Sequence, residues 1–442
     1  MITEIANSDS YYIYLLGILL LSGYICFLLT KRIITAEVVF WVAWSLAILG
    51  GELRKSREDH YFYGYIFDEG SKELVMQMFI SSACGFVLAS IVYSIKRKMG
   101  DYVHRHSMVN RIILIDRYRE KIAFLFLFIG FFEFLVSYVT HGGLSSVRQV
   151  AVIEGTDERF LIMSYIFYAS YPILVYFAII DVEKSAIRWR SLLPLWLGLV
   201  FHGLSIGGRI NIVVGTLFYI LSFVLYQNRI RRVSPNKKRR LYFMVRAFIF
   251  IVFASTMFSL FGILRTSDNI LELGTDRTTS PIELFLYVSD SLVSTSTHAS
   301  EAQTYGKLFG KFLFDGPYRI LTKFGLVEHI PDDLFGHKHY QGYPPQPYGW
   351  CQVNSIPRMI ADFGYDYYMF AFFVVSFIAQ YISLVSYGRS LFVHTLGVLS
   401  MVCSAYSIQA SMWFSAYSII IMAYCIIIQK INLYYIRNLI KI

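Results

Sequence analysis

Long apolar runs separated by short polar and basic segments dominate this 442-residue chain. Many runs contain 18 or more residues with few or no charges, and a helix of that length crosses a hydrocarbon core about 30 Å thick. Inside lipid, every backbone N–H and C=O group must be hydrogen-bonded within the protein, so spans of this kind are helical. The pattern predicts an all-α polytopic membrane protein.

The apolar runs predict about eleven transmembrane helices, and roughly ten to thirteen are compatible with the pattern. Their approximate bounds are residues 11–29, 33–50, 74–95, 122–139, 161–180, 192–206, 210–226, 241–264, 367–387, 391–408 and 412–428. The first run has no small-residue cleavage site after it, which favours a retained helix over a signal peptide.

The spacing of the runs predicts three parts of the chain. Residues 1–264 form an N-terminal transmembrane bundle of about eight spans. Residues 265–366 form one large loop subdomain that contains short helices, and residues 367–442 form the C-terminal spans and a short tail.

Composition and charge support the membrane class and predict an orientation. The chain is 56% hydrophobic and only 16% charged, which is more apolar than a soluble globular protein. Most Lys and Arg residues lie in loops on one side, including residues 96–121, 229–232 and 237–240, and such loops are typically cytoplasmic. The N-terminus and the large loop are then outside and the C-terminus inside. Anionic inner-leaflet lipid accounts for the net charge of +10, so no nucleic-acid partner is predicted.

A tight break between two predicted spans carries the first candidate binding residue. The stretch is Ser205-Ile-Gly-Gly-Arg209-Ile-Asn211, and it places a guanidinium at membrane level on the outer side. Arg209 there can bind phosphate oxygens bidentately, while the glycines allow close backbone approach. The alternative is a boundary arginine that reaches the membrane surface beside a hairpin turn.

The large loop carries the candidate proton acceptors. It is too long for a simple connector, and its aromatic and proline content indicates a compact cover. Ser280-Pro281-Ile-Glu283 predicts a helix start. If this helix continues to Ala302, then Asp290, Ser294, His298 and Glu301 share one stripe, which suits a general base. Against this, Ser294-Thr-Ser-Thr297 is a poor helix interior, and a solvated polar face remains the alternative.

Later in the loop, aromatic residues alternate with turn-forming residues. Rigid aromatic faces stack on sugar rings, so the candidate glycan-binding residues are His337, His339, Tyr340, Tyr348 and Trp350. The alternative is ordinary loop packing. His337 and His339 lack a third ligand at a metal-site spacing, and the chain contains no Asp-x-Asp and no Walker loop. The sequence therefore predicts no metal site and no cofactor.

Several short motifs, in their order along the chain, resemble the Wzy-type oligosaccharide repeat-unit polymerases of bacterial O-antigen and capsule. These motifs are Gly207-Gly-Arg209-x-Asn211, Arg265 just after a span, the Pro281-led helix, and Asn354-x-x-Pro357 followed by Asp362-Phe-Gly364. The resemblance covers most of the chain in topology but only these short stretches in motif. The predicted topology departs from that family, which is often drawn with more spans and with both termini inside.

The resemblance implies a metal-independent glycosyltransferase with a GT-C-like helical fold, at the periplasmic face of the bacterial inner membrane. Such an enzyme moves the growing glycan from undecaprenyl pyrophosphate onto a newly flipped lipid-linked unit. Its partners are the undecaprenyl-pyrophosphate-linked oligosaccharide, membrane lipid and a chain-length-regulating co-polymerase.

Within that mechanism, each candidate residue has a role. Arg209 and Arg265 hold the donor pyrophosphate, and Arg358 is a third phosphate ligand whose alternative is an ordinary interfacial arginine. His298 and Asp290 rank before Glu301 as the base, and His337 and His339 follow. Asp362 also fits the N-cap of the helix that forms the next span.

Two other functions fit the sequence. One is a flippase or transporter of lipid-linked oligosaccharide, although the repeated halves typical of transporters are not visible. The other is an O-antigen ligase, which shares the donor and uses a different acceptor. The large one-sided loop favours an enzyme that works at one face.

Overall fold

The protein is described by a computed structural model that covers most of its apolar runs. The described residues are 10–57, 68–98, 113–141, 158–184, 186–205, 210–230, 256–257, 292, 295–304, 307–328, 354–386, 390–408 and 414–440. Within these ranges the backbone is helical, with turns and short extended connections and no strand.

The helices occur in the following order. They are α1 Tyr11–Thr30, α2 Ala36–Arg57, α3 Glu69–Lys98, α4 Ile113–His141, α5 Glu158–Phe167, α6 Ser170–Glu183, α7 Trp189–Ser205, α8 Ile210–Ile230, α9 Thr295–Thr304, α10 Asp315–Lys323, α11 Ser355–Val385, α12 Leu391–Tyr406 and α13 Ala416–Ile440.

The predicted membrane class is confirmed by these helices. Within the described ranges, seven helical stretches are long and apolar enough to cross a membrane. They are Tyr11–Thr30, Glu69–Lys96, Ile113–Thr140, Met163–Glu183, Asn211–Asn228, Ser355–Val385 and Tyr417–Ile436. The protein is therefore a helical, membrane-embedded protein with several spans.

The other four predicted spans are not among these seven stretches. Helices α2 and α7 occupy the positions of two of them, and α12 is a shorter apolar helix of 16 residues. Of the predicted span at residues 241–264, the structure describes residues 256–257, which are helical, so this span stays a prediction. The total of eleven spans stays a prediction.

The predicted span at residues 161–180 contains an interruption. Helix α5 ends at Phe167 and α6 begins at Ser170, with a turn at Tyr168 and Ala169 between them. Pro172 has no backbone N–H to donate to the carbonyl of Tyr168, so the regular helical bond is missing at this turn. The apolar pattern predicts one continuous helix here, and the structure has two helices separated by a turn next to Pro172.

The chain divides into two compact units, each assembled from distant parts of the sequence. Unit 1 contains Met1–Val103, Phe285–Ser386 and Leu399–Ile419, and unit 2 contains His104–Leu284, Tyr387–Val398 and Ile420–Ile442. The three parts predicted from the sequence are consecutive stretches of the chain. The two units group residues by their contacts in space, so each unit contains stretches from different parts.

The core of unit 1 is an aromatic cluster between α2 and α3. Phe40, Trp41 and Trp44 of α2 contact Phe79 of α3, and the Trp41 and Phe79 ring centroids are 4.7 Å apart. Helix α3 also packs along α11, where Gly85 lies against the backbone of Phe373. These contacts hold α11, which carries several residues of the candidate site.

The core of unit 2 contains a close crossing of α4 and α7. A Cβ atom added to Gly130 would lie 2.4 Å from the carbonyl oxygen of Gly198, and one added to Gly198 would lie 2.6 Å from the oxygen of Phe126. Two helices approach this closely only where side chains are absent.

A buried ion pair joins α4 to α6 in unit 2. Arg119 donates to both carboxylate oxygens of Asp181, at 2.6 and 2.9 Å, and Tyr219 of α8 donates to the same carboxylate at 2.8 Å. A bidentate pair with a further hydrogen bond satisfies charges that would be costly to bury alone. The pair therefore joins three helices of this unit.

Replacing Gly130 by Ala is expected to destabilise unit 2 by about 1–3 kcal/mol, because the added methyl group meets backbone and not a movable side chain. The midpoint of thermal unfolding in detergent should fall. Gly17→Ala is the matched control, since a Cβ at Gly17 meets nothing within 4 Å. Equal melting of the Gly130→Ala variant and the wild type would contradict the close crossing.

Candidate functional site

Helix α11 begins with a well-defined cap and then breaks after about two and a half turns. Asn354 is the N-cap, and its side-chain oxygen accepts from the N–H of Ile356 at 2.9 Å. Gly364 interrupts the helix with φ 73° and ψ 171°, a conformation that residues with a side chain rarely adopt. The break separates a short arm, residues 355–363, from the apolar remainder of the helix.

The break leaves backbone carbonyls of the arm without their usual helical donors, and a distant segment supplies replacements. Leu308 N–H donates to the carbonyl of Ala361 at 2.8 Å, and Phe309 N–H donates to that of Asp362 at 2.9 Å. Buried carbonyls must find such partners. Residues 307–314 are thereby fixed to the arm.

Asp362 strengthens this attachment with its side chain. Its buried carboxylate accepts from the N–H groups of Phe312 and Leu313, at 2.9 and 2.7 Å. Arg358 lies one helical turn earlier, close enough for an attractive electrostatic interaction with Asp362. The Arg358 guanidinium also lies over the ring of Phe312, 5.6 Å from its centroid. Arg358 therefore belongs to the same local structure as the attached segment.

Helix α9 packs on α11 and is positioned by polar contacts at its first turn, one of them fully buried. Asn354 donates from Nδ2 to Oγ1 of Thr295 at 2.7 Å. Ser296 donates its N–H to Ser71 Oγ at 3.1 Å and its hydroxyl to Asp68, which caps α3. The start of α9 is thus anchored to the starts of both α3 and α11.

Within the next two turns of α9, His298 and Glu301 form an imidazole–carboxylate pair. His298 Nδ1 lies 3.2 Å from Glu301 Oε2, and the exposed fractions of the two side chains are 15% and 31%. A carboxylate beside one ring nitrogen orients the imidazole. Nδ1 faces Glu301, and Nε2 on the other side of the ring is buried in the protein.

A second imidazole–carboxylate pair lies in unit 2 and has a different environment. His202 Nδ1 is 2.8 Å from Glu133 Oε2, but the exposed fractions of their side chains are only 1% and 4%. The His202 ring stacks on Phe167 at 4.3 Å. The second pair is enclosed by packed helices and joins α4 to α7, whereas the side chains of the His298–Glu301 pair are partly exposed.

The predicted site residues fall into two groups. His298, Glu301 and Arg358 are described, and all three belong to unit 1 on the packed helices α9 and α11. The residues that lie outside the described ranges are Asp290, Arg209, Arg265, His337, His339, Tyr340, Tyr348 and Trp350. Their roles stay predictions, as does the helix start at Ser280.

Helix α9 begins at Thr295, inside the run of Ser and Thr residues, so these residues form the start of the helix and not its interior. Of the predicted continuation from Ser280 to Ser294, the structure describes only residue 292, which is helical, and the stripe through Asp290 and Ser294 stays a prediction.

One detail differs from what the local sequence suggests. Asp362 is inside α11 and accepts from Phe312 and Leu313, so it does not cap the start of that helix, which Asn354 does. The sequence does not reveal the attachment of residues 307–314 to Asp362, because the partners are about 50 residues apart. The local signal is a glycine two residues after an aspartate, which is typical of a turn.

Metal binding can be considered only for the part of the chain that the structure describes. Within those residues, no three His, Cys, Asp or Glu side chains lie close enough together to hold a metal ion. Within the described residues, the site contains an imidazole–carboxylate pair on α9 and a guanidinium on α11. The backbone amides of residues 308, 309, 312 and 313 are already used by the arm of α11.

Replacing Asp362 by Asn is expected to weaken the attachment of residues 308–313 by about 1.5–3 kcal/mol, the range for hydrogen bonds to a carboxylate. An amide side chain has one acceptor oxygen, so one of the two N–H groups would face an NH₂ donor. Hydrogen exchange with mass spectrometry should show faster exchange in peptides covering these residues, and unchanged exchange in α4. Unchanged protection of residues 308–313 would contradict the role given to Asp362.

Comparisons with protein-family models, with curated proteins and with solved structures find no match for this chain.

Proposed function

We propose that the protein is a membrane glycosyltransferase that polymerises oligosaccharide repeat units linked to undecaprenyl pyrophosphate. The growing glycan is the donor, and it is transferred onto a new lipid-linked unit at the periplasmic face of the bacterial inner membrane. The proposal includes a GT-C-like arrangement of about eleven spans, with the N-terminus outside.

The observation that carries the proposal is the His298–Glu301 pair on α9, a helix that packs against the helix bearing Arg358. Transfer to a sugar hydroxyl requires a group that takes the hydroxyl proton, and an oriented imidazole suits this role. The exposure of the pair supports the choice of His298 over the sealed His202.

Arginine side chains supply the charge that this chemistry requires. When the acceptor oxygen attacks the anomeric carbon, the bond from that carbon to the pyrophosphate oxygen breaks, and negative charge develops on the leaving group. Arg209 and Arg265 are proposed to bind the donor pyrophosphate, and Arg358 is the third phosphate ligand. The hydroxyl proton goes to His298, and Glu301 stabilises the resulting imidazolium.

The aromatic residues of the large loop complete the proposal. His337, His339, Tyr340, Tyr348 and Trp350 are proposed to hold the glycan by stacking and hydrogen bonding. No metal and no cofactor take part in the proposed reaction. A chain-length-regulating co-polymerase is the proposed protein partner.

The function is tested with purified protein and lipid-linked oligosaccharides extracted from membranes of the source cell. The expected product is a ladder of glycan lengths on a gel, formed equally well with a chelator present. A ladder that requires a divalent metal would contradict the metal-free reaction. Transbilayer movement of the substrate in vesicles without a ladder would favour the flippase, and transfer to a lipid A core acceptor alone would favour the ligase.

Replacing His298 by Gln is expected to lower the polymerisation rate by about 10²–10⁴, the usual contribution of a general base, because Gln accepts no proton. Arg209→Ala, Arg265→Ala and Arg358→Ala should each reduce ladder formation through lost phosphate binding. Ser300→Ala is the matched control, since Ser300 is an exposed residue of the same helix. Wild-type rates in the His298→Gln variant would exclude His298 as the base.

A further inference from the structure

Residues 307–328, which include α10, carry an exposed apolar surface outside the long apolar helices. Its members are Phe309, Leu321, Phe324 and Leu326, all of them exposed, and Phe309 is 85% exposed. Phe314 is also partly exposed, but its ring stacks on that of Phe414, so it is not counted in the set. Large apolar side chains exposed together on one short segment are typical of a contact surface. We call this set the apolar face of the 307–328 segment.

The apolar face is the outer side of an ordered structure. On the inner side, Leu308, Phe312 and Leu313 are buried in the core of unit 1. Helix α10 ends with Gly325 at φ 68° and a hydrogen bond from Leu326 N–H to the carbonyl of Leu321 at 3.0 Å, the pattern of a Schellman cap. The segment therefore has one side committed to the protein and one side free.

Phe309 is held outward by its backbone conformation. Its φ of 52° lies in the left-handed region, which a bulky residue seldom adopts and which costs conformational energy. The hydrogen bond from its N–H to Asp362 fixes that conformation. The attachment to α11 therefore keeps the Phe309 side chain on the exposed side of the segment.

Hydrogen bonds also set the position of the segment relative to the apolar helix. Leu308 and Phe309 bond the carbonyls of Ala361 and Asp362, just before the break at Gly364. Directly after the break, Tyr365 and Tyr367 are exposed, and Phe370 follows one turn later. Tyrosines at the start of an apolar helix are typical of the boundary between lipid headgroups and acyl chains. The segment is thus attached at the level of that boundary.

Two lysines accompany the apolar face. Lys307 Nζ lies 5.0 Å from the centroid of the Tyr367 ring and 3.6 Å from Asp366, and Lys311 Nζ lies 5.1 Å from the Tyr318 ring. Lysines beside exposed aromatic and aliphatic residues form the usual surface of a helix that lies in the headgroup region, where ammonium groups meet phosphate.

We propose that the apolar face of the 307–328 segment is a membrane-contact surface, inserted into one leaflet among phospholipids. The occupant is bilayer phospholipid for two reasons. The segment is bonded to α11 directly beside the exposed Tyr365 and Tyr367, which are typical of the lipid headgroup boundary, and Lys307 and Lys311 lie beside the apolar face. This assignment does not depend on the proposed glycosyltransferase activity.

The test places the photoreactive amino acid p-benzoylphenylalanine at position 309 or 324 of the full chain in its native membrane. After irradiation, peptides containing either position should gain the mass of one phospholipid. Position 128 in α4 is the positive control, because Phe128 is an exposed residue of a membrane-crossing helix. Position 304 is the negative control, because Thr304 is exposed but polar and lies outside the segment.

The expected result is a phospholipid adduct at positions 309 and 324 with a yield comparable to that at 128, and no adduct above background at 304. A cross-link to a second copy of the chain, to residues 329–353 of the same chain or to a polyprenyl-linked glycan would overturn the proposal. So would the absence of any adduct at 309 and 324 while 128 reacts. Two independent positions guard against a variant that fails to fold.

Discussion

A helix that is broken beside an apolar environment must find new partners for its backbone, and this constraint governs much of unit 1. At Gly364 the regular hydrogen bonding of α11 is interrupted. The carbonyls of Ala361 and Asp362 accept instead from the N–H groups of Leu308 and Phe309. An unsatisfied buried carbonyl would cost about 1–3 kcal/mol, so the break is stable only with the 307–314 segment attached. The glycine and its distant partner therefore form one structural element.

The broken helix also explains how polar groups come together in an apolar protein. The arm of α11 before Gly364 carries Arg358 and Asp362, and Asn354 caps it; each of the three has partners outside its own helix or turn. Asn354 also anchors α9, which carries His298 and Glu301. The break at Gly364 therefore separates an apolar part of α11 from a first section whose polar residues bond to other segments.

Solvent exposure distinguishes polar groups that stabilise from those available for reaction. Arg119 with Asp181, and Glu133 with His202, are almost completely buried and join helices within unit 2. Removing one partner of such a pair leaves an uncompensated buried charge, which is strongly destabilising. The His298–Glu301 pair is partly exposed, so its ion pairing contributes less to stability, and the proposed function assigns the proton transfer to it. Similar residue types thus have different roles because their surroundings differ.

The sequence by itself determined the class of this protein, because length and apolarity of a run are local properties that decide whether a helix can cross lipid. Helical spacing also placed His298 and Glu301 on one face, and they are in contact. Only the tertiary structure decided what completes the helix broken at Gly364. The amides that bind Asp362 belong to Phe312 and Leu313, and no local pattern indicates which distant backbone will satisfy a buried carboxylate. That choice depends on long-range packing, which is a property of the folded chain.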